Sequence, residues 1–506
     1  MTLYRKLLTL ALLLASFSRT ATGLTTTLDL TSRLPADDLS RVRVELEVGG
    51  MMQLNREGLS LAGNSDDPSD QLPIHVDAKL SYDQRRLERL GEHTLAGSRP
   101  TAISAVRYYH EAEAKIRIDQ HTHLRTLTPQ NRSVLLRQPA TARAIFVGVD
   151  GLLQRQQLDL IDVIGNSLTI DRLLPSNLVS ETDSWDQDAV TMAALLGLDT
   201  VTVCEVSSVI DKTTPRSVQV RMGGAVHGMI DGASTELELR GLYRFDRRWR
   251  RVTRMNLAVK EQRTVGHATP GLDVVAKVRL VVEPLKSSSK LTDGLIARLD
   301  ADDTIFNDLL EYHAREQGFR FLHDRAWFVT SQERDALTLR RIENGDLIAY
   351  CTIKRLPVKS AGRQTSMEEF QKDIRFSLGE DFSHFVRGRE WTNQHGYHCM
   401  AVVVRGAVEE VPVEWHYYLV APEAGHRVSL ALTMEEPDAK RLGETDQNLV
   451  DTLELVAPEP TPTQVDSGER PVAAKRTTKS EPSTASRTTT TGRRPTNSRR
   501  RGGSAR

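Results

Sequence analysis

Ile74-His75-Val76-Asp77-Ala78-Lys79-Leu80-Ser81-Tyr82 changes character at every step. Ile74, Val76, Ala78, Leu80 and Tyr82 fall on one side of an extended chain; His75, Asp77, Lys79 and Ser81 fall on the other. A period of two marks a strand with one face buried and one in water. Similar β signals recur at 114–124, 144–149, 200–206, 217–222, 235–245, 252–259 and 274–282, many of them separated by Gly, Pro or Asp. One helix is expected among them, over 185–196, capped by Asp183 or Ser184 and stopped by Gly197. Many strands and few helices across residues 24–285 predict a mostly antiparallel β domain.

The texture changes after Lys286-Ser287-Ser288-Ser289-Lys290, a short polar linker, and residues 286–302 read as that linker and the start of a helical segment. Ile305, Leu309 and Leu310, with Phe306 and Tyr312 beside them, keep helical spacing up to Gly318, and a β-rich stretch covers 319–353. Ser366-Met367-Glu368-Glu369 has the order of a capping box, and Phe370, Ile374 and Leu378 continue it as one apolar stripe. Strands are expected at 399–404, 411–420 and 427–434, then a last helix from Pro437 with Leu449, Val450 and Leu453 turned inward. The expected fold class is α+β: the β-rich domain, then an antiparallel sheet with packed helices over 303–456. Residues 457–506 are rich in Thr, Ser, Arg and Pro, with almost no aliphatic side chains, and are expected to be disordered.

Arg5 and Lys6 precede a short apolar run from Leu7 to Phe17, and Ala21-Thr22-Gly23 offers small residues for a signal peptidase. That is the order of a secretory signal peptide over 1–23, cleaved near Gly23. The run is about half the roughly 20 residues that a spanning helix needs. The expected location is therefore exported: periplasm, cell envelope or secreted. The formal net charge is zero, yet residues 457–506 carry 11 basic against 4 acidic side chains, and residues 24–456 carry 53 against 63. An acidic body with a basic tail is an asymmetry suited to interaction. Arg493-Arg494 and Arg499-Arg500-Arg501 attract polyanions by charge, which outside the cytoplasm points to an anionic envelope polymer or lipid headgroups rather than nucleic acid. Cys204, Cys351 and Cys399 each sit in an apolar β-like run and read as buried small hydrophobes, with a Cys351–Cys399 pairing left open.

Over 303–457 the order of elements resembles the PsbP/Mog1-like α/β/α sandwich. The resemblance is carried by Arg325-Ala326-Trp327, Leu347-Ile348-Ala349-Tyr350-Cys351-Thr352-Ile353, the capped helix over 366–378, a hairpin around Gly406 to Pro412 with Trp415-His416-Tyr417-Tyr418-Leu419, and Gly425-His426-Arg427 opening a strand. Members of that fold family are mostly binding or assembly modules, so the resemblance implies a non-catalytic role and brings no residue set with it. Over about 140–284, Leu174-Pro175, Ser184-Trp185 and Gly241-Leu242-Tyr243-Arg244-Phe245-Asp246 are similar to an uncharacterised family of exported bacterial proteins. Neither resemblance gives a function.

The readable catalytic signatures are missing: no G-x-S-x-G, P-loop, G-x-G-x-x-G, H-E-x-x-H or C-x-x-C occurs. His110-Glu111-Ala112-Glu113 followed by His121-Thr122-His123 is the richest polar cluster; on a strand the last two His share a face and, with Glu111 or Glu113, have the ligand types of a metal site. His395-Gly396-Tyr397-His398-Cys399 offers soft-metal ligands, but Gly396 reads as a hairpin tip and Cys399 as the start of a buried strand. His398 beside Cys399 is the one adjacent His–Cys pair, and strand neighbours point to opposite faces. Glu435-Glu436-Pro437-Asp438 reads as helix capping, and Trp327, Trp391 and Trp415 read as packing. No catalytic, cofactor-binding or metal residue is assigned, and no cofactor is expected. The sequence favours an exported non-enzymatic binding or scaffold protein. The alternatives are a carrier of an apolar, lipid-like ligand in the cell envelope, and an enzyme with dispersed residues such as His110, His121 or His123.

Overall fold

The computed structural model describes residues 27–35, 37–54, 71–87, 102–139, 141, 143–301, 308–360, 364–422 and 425–457. The leader over 1–23, Ile305, Phe306 and all but the first residue of the basic tail lie outside the described residues.

The alternating stretch quoted above becomes the middle of a long strand in a 12-stranded sheet. The strands are β1 (Leu39–Gln53), β2 (Gln71–Leu87), β3 (Ala102–Ile118), β4 (His121–Thr126), β5 (Ser133–Pro139), β6 (Ile145–Gly148), β7 (Ser184–Asp186), β8 (Thr200–Thr213), β9 (Ser217–Ile230), β10 (Ala233–Asp246), β11 (Arg251–Arg263) and β12 (Gly271–Pro284). They lie in the order β6-β5-β3-β2-β1-β12-β11-β10-β9-β8-β7, with β4 paired to β3. The period of two fixes register: Leu46 faces Ala78 on one side and Val278 on the other, so their side chains share a face. That inward face carries Val44, Leu80, Tyr82, Leu239, Leu257 and Leu280, all buried.

Residues 150–198 fill the inward face. They form the short helices α1 (Arg155–Ile161) and α2 (Ala189–Leu196), with a 3-10 turn over Ile170–Leu173 between them. Leu158, Ile161, Ile170, Leu173, Met192 and Leu195 join residues of the sheet in one hydrophobic core. The carbonyl of Leu173 accepts from Trp185 Nε1, Gln187 Nε2 and Tyr243 Oη, each at 3.0 Å, which ties this segment to the strands. The helix expected over 185–196 starts later than its sequence suggests. Ser184–Asp186 is a strand on the edge of the sheet, and Asp188, not Asp183 or Ser184, is the cap, its carboxylate accepting from the Thr191 amide at 2.7 Å.

The linker does not hang free. Ser288 Oγ donates to Asp83 at 2.7 Å, Arg85 pairs with Asp293 at 2.7 Å, and α3 (Asp293–Ala301) lays Leu299 on Leu87, Val106, Leu135 and Val147. Beyond it stand two further sheets. The small one orders β13 (Leu310–Ala314), β14 (Phe319–His323) and the terminal β22 (Glu454–Leu455). The other has seven strands: β15 (Trp327–Gln332), β16 (Ala336–Glu343), β17 (Asp346–Leu356), β18 (Phe382–Thr392), β19 (His398–Val408), β20 (Val411–Ala421) and β21 (Arg427–Glu435), in the order β15-β16-β17-β21-β20-β19-β18. Every pairing among the described strands of all three sheets is antiparallel.

This overturns the α+β expectation. The described chain is mostly antiparallel β in three sheets, and the helices are too few and too short to form packed layers. Two local reasons account for the error. Leu309, Leu310 and Tyr312 have helical spacing, but Leu310–Ala314 is drawn into a hairpin with β14, where Leu310 and Ala314 are buried. The long terminal helix expected from Pro437 is broken by Gly443 at φ 61° into α5 (Ala439–Leu442) and α6 (Thr445–Asp451). Leu449, Val450 and Leu453 do turn inward.

Between α3 and α5 the described residues hold one α-helix, α4 (Met367–Leu378), and Ser366 caps it: its hydroxyl accepts from the Glu369 amide at 3.1 Å, and Phe370 and Ile374 pack on Met400, Val402 and Trp415. Ser366→Ala is expected to cost about 1 kcal/mol through loss of that cap, read as a lowered urea midpoint. Ser366→Asp, which keeps an acceptor, should stay within a few tenths of a kcal/mol of the parent.

The large sheet and the C-terminal sheets meet through backbone. The hairpin tips Asp231-Gly232 and Asn344-Gly345 have positive φ at all four positions, and a Cβ on Gly232 would lie 2.5 Å from Gly345 Cα. Arg155 donates to the carbonyls of Arg325 and Trp327, and Arg340 Nη1 to that of His267 at 2.6 Å.

Candidate ligand site on the inward face of the large sheet

The polar cluster singled out in the sequence does not converge. Asp119, at φ 51°, turns the chain between β3 and β4, so the stretch 114–124 is a hairpin rather than one strand. His123 stands opposite Ile116 and His121 opposite Ile118, on the inward face. Glu113 stands opposite Lys79 and Glu111 opposite Ser81, on the outward face. The two imidazoles and the two carboxylates therefore lie on opposite sides of the sheet. His110 is taken up elsewhere, its Nε2 at 3.2 Å from Asp83, which also binds Arg41 Nε at 2.8 Å. Among the described residues no group of three His, Cys, Asp or Glu is placed to hold a metal.

The other sequence candidates are absorbed by the fold. Gly396 is the tip of the β18–β19 hairpin at φ 78°, His398 faces Glu390 at 3.0 Å, and Cys399 is buried in the core. Burial pushes the Cys399 thiol up to about 12, which leaves no reactive thiolate. Cys204, Cys351 and Cys399 are free thiols, and β20 and β21 separate the strands that carry Cys351 and Cys399. Glu436 pairs with Arg405 at 2.9 Å and Asp438 with Arg441 at 3.3 Å. Trp327 packs in one core of the seven-stranded sheet and Trp415 in the other, so they line no common groove.

Besides a hollow of about 660 Å³ beside the linker segment 284–293, two concavities of the large sheet are big enough for a ligand. One, of about 1030 Å³, is an open trough on the outward face, where charged side chains from β1, β2, β9, β10 and β12 stand in rows. Four of its cations are already ion-paired: Arg221 to Asp211, Arg240 to Glu238, Lys277 to Glu47 and Arg279 to Glu45, at 3.4 to 3.8 Å. Such exposed, satisfied pairs make an ordinary solvated face.

The other, of about 660 Å³, lies on the inward face, between the ends of β2 and β3 and the segment 167–176. The inward row of β2 does not stop at Tyr82: Gln84 and Arg86 continue it, and Arg107 continues that of β3. Arg107 is 2% exposed. Its guanidinium donates to Asn166 Oδ1 at 2.7 Å, Gln84 Oε1 at 2.9 Å and Ser167 Oγ at 3.2 Å, and stacks 4.5 Å from the Tyr82 ring. None of those partners is a carboxylate. Gln84 and Ser167 line the cavity, so Arg107 stands directly behind its floor.

Arg86 lines the same cavity, with no side-chain hydrogen bond among the described residues. Burial pulls its pKa below the ordinary value; Asp38 and Asp171 oppose this at a distance, and Arg251 adds to it. Both neighbouring acids are otherwise engaged. Arg251 Nη1 reaches both Asp38 oxygens, at 2.7 and 2.9 Å, and Asp171 accepts from the Val252 amide at 2.7 Å. Arg251 is itself 2% exposed, and its Nε is buried without a partner. The apolar part of its lining is Leu34, Ile103, Leu168, Leu174, Pro175 and Val190. This site escaped the sequence reading, although one signal was there. Gln84, Arg86 and Arg107 are polar residues at inward-parity positions of long strands.

A second buried polar cluster joins β20 to α6. His416 Nδ1 donates to Asp446 Oδ2 at 2.6 Å and its Nε2 to Glu414 Oε1 at 2.9 Å; Tyr418 Oη donates to Asp446 Oδ2 at 2.5 Å, and Arg405 Nε to Glu414 Oε2 at 2.7 Å. Burial disfavours an imidazolium there, but the bonds to Asp446 and Glu414 outweigh it and hold the His416 pKa above its ordinary value. His416, Tyr418, Glu414 and Asp446 are all buried, so this cluster joins elements rather than receiving a substrate.

No family model matches the chain. No curated protein matches it. Among solved structures, the cyanobacterial PsbP of Synechocystis sp. PCC 6803 is 12% identical over 30% of this chain and 96% of its own, with a TM-score of 0.24. The Saccharomyces cerevisiae Ran-binding protein Mog1p is 8% identical over 29% of this chain and 96% of its own, with a TM-score of 0.24. A Bacteroides thetaiotaomicron structure is 10% identical over 29% of this chain with a TM-score of 0.21, and the match spans 47% of that protein's length. The resemblance to PsbP/Mog1-like folds is a weak structural one and carries no functional argument.

Proposed function

We propose that this is an exported, non-enzymatic binding protein that holds a small molecule in the inward cavity of its large sheet. The observation that supports this most directly is the 660 Å³ cavity itself, built on strands and walled by apolar side chains, with a guanidinium lacking any hydrogen-bond partner among the described residues. Export rests on the leader sequence, and the basic tail is read as a contact to anionic envelope polymer or lipid headgroups. A carrier of a wholly apolar lipid suits the sheet less well, because residues 150–198 occupy most of its inward face and charged side chains, Arg86 and Arg251 among them, line the remaining cavity.

Native mass spectrometry of the full chain, purified from its own envelope fraction without detergent, tests the reading. The expected result is a retained small-molecule adduct that is lost on denaturation. Val190→Trp, placed in the cavity wall, should remove the adduct while leaving the circular dichroism spectrum unchanged. A protein that never carries an adduct, or a Val190→Trp variant that keeps it, would overturn the proposal.

A further inference from the structure

We infer that the inward cavity takes an amphipathic anion: a carboxylate or phosphate-type oxygen pair held by Arg86, with an apolar body lying against Leu168, Leu174 and Val190. The assignment deepens the binding reading above and rests on it. Three observations carry it. Arg86 is a partly buried guanidinium at the cavity surface with no hydrogen bond to any described side chain, so its planar N–H fork is open to a ligand. The two nearest acids do not fill it, because Asp38 is held by Arg251 and Asp171 by the Val252 amide. The floor adds positive potential: Arg107, fully buried behind Gln84 and Ser167, is hydrogen-bonded only to neutral groups.

Geometry points the same way. A guanidinium offers two parallel N–H donors, which match a pair of oxygens in one group; a lone hydroxyl or amide satisfies only one of them. The apolar part of the lining calls for a body without hydrogen-bonding groups, since polar atoms there would lose water without gaining a partner.

Isothermal titration calorimetry on the delipidated full chain tests the assignment with three probes that share one tail: decanoate, decanol and decyltrimethylammonium. Decanoate is expected to bind at least tenfold more tightly than decanol, with decyltrimethylammonium weakest. Arg86→Met should weaken decanoate at least tenfold and leave decanol unchanged, and Arg86→Lys, which keeps the charge without the fork, should fall between. A urea midpoint for each variant identifies any that fails to fold, in which case the wild-type ranking of the probes decides alone. Equal binding of decanoate and decanol, or unchanged decanoate binding by a folded Arg86→Met, would overturn the anion assignment and leave the cavity as a binding site. Failure of all three probes to bind the wild type would overturn both.

Discussion

Asp446→Ala is expected to destabilise the C-terminal region by roughly 3–5 kcal/mol, the cost of stripping one partner from a buried ion pair. The carboxylate accepts from His416 at 2.6 Å and from Tyr418 at 2.5 Å, and a second oxygen takes the Gln447 amide at 2.9 Å. Alanine leaves His416 Nδ1 and the Tyr418 hydroxyl with no acceptor in a closed interior. It also removes the hydrogen-bonded tie between α6 and β20, leaving only their apolar packing through Leu449 and Val450. The pH dependence identifies the mechanism. Burial works against the charged forms, but the mutual bonds win: the His416 pKa is raised above its ordinary 6.5, and those of Asp446 and Glu414 are lowered below their ordinary 3.8 and 4.5. A raised His contributes stability that is complete below its unfolded pKa and is lost as pH climbs through the folded one. A lowered carboxylate contributes stability that is present above its unfolded pKa and is lost as pH falls through the folded one. The cluster is thus most stabilising between about pH 4.5 and 6.5 and weakens on both sides of that window. Urea midpoints of wild type and Asp446→Ala should differ most near pH 6 and converge toward pH 9. A gap that stays constant across that range would show that His416 is neutral and the network is not ionic.

The sequence made the strands legible where a period of two ran unbroken, as from Ile74 to Tyr82. It failed where a local rule met a distant partner. Gln84 and Arg86 look like the polar end of a strand, because hydropathy cannot separate a strand that stops from an inward row that turns polar. What decides between them is Asn166 and Ser167, distant in sequence: Ser167 lies 83 residues beyond Gln84, and the two lie 59 and 60 residues beyond Arg107, to which they give something to bond. His416 sits in the quoted run Trp415-His416-Tyr417-Tyr418-Leu419, yet its partner Asp446 lies in a helix 30 residues later. Leu310 and Tyr312 keep a helical spacing that a hairpin overrides, since pairing with Phe319–His323 buries Leu310 completely. The candidate cavity was illegible for the same reason as the fold class was misread. Both depend on which faces meet, and one strand's pattern records only that it has two faces.

Gly224→Val should be the most damaging single change to the large sheet, at roughly 3–5 kcal/mol from overpacking and backbone strain together. The β pattern recognised over 217–222 stops just before this position; β9 nevertheless runs on through Gly223 and Gly224 to Ile230. The structure explains why glycine is needed. Gly224 stands opposite Val206 at φ 147°, and a Cβ there would lie 1.9 Å from the Glu205 carbonyl oxygen and 2.8 Å from Val206 Cα. Those are backbone atoms of the neighbouring strand and cannot swing aside, so β8 and β9 must separate. Gly223, one residue earlier, is the control. Its Cβ would meet only the Leu239 oxygen at 3.3 Å, and Gly223→Ala is expected to cost no more than about 1 kcal/mol. The consequence reaches the site. β8 holds α2 and the Gln187–Ser208 bond against the inward face, and α2 supplies Val190 and Thr191 to the cavity wall. Gly224→Val should therefore lose the retained adduct together with stability, whereas Arg86→Met loses decanoate binding from a sheet that still folds. Urea midpoints set beside adduct retention separate the two. A Gly224→Val protein as stable as Gly223→Ala would mean that the close approach of β8 and β9 does not hold the sheet around its inner segment.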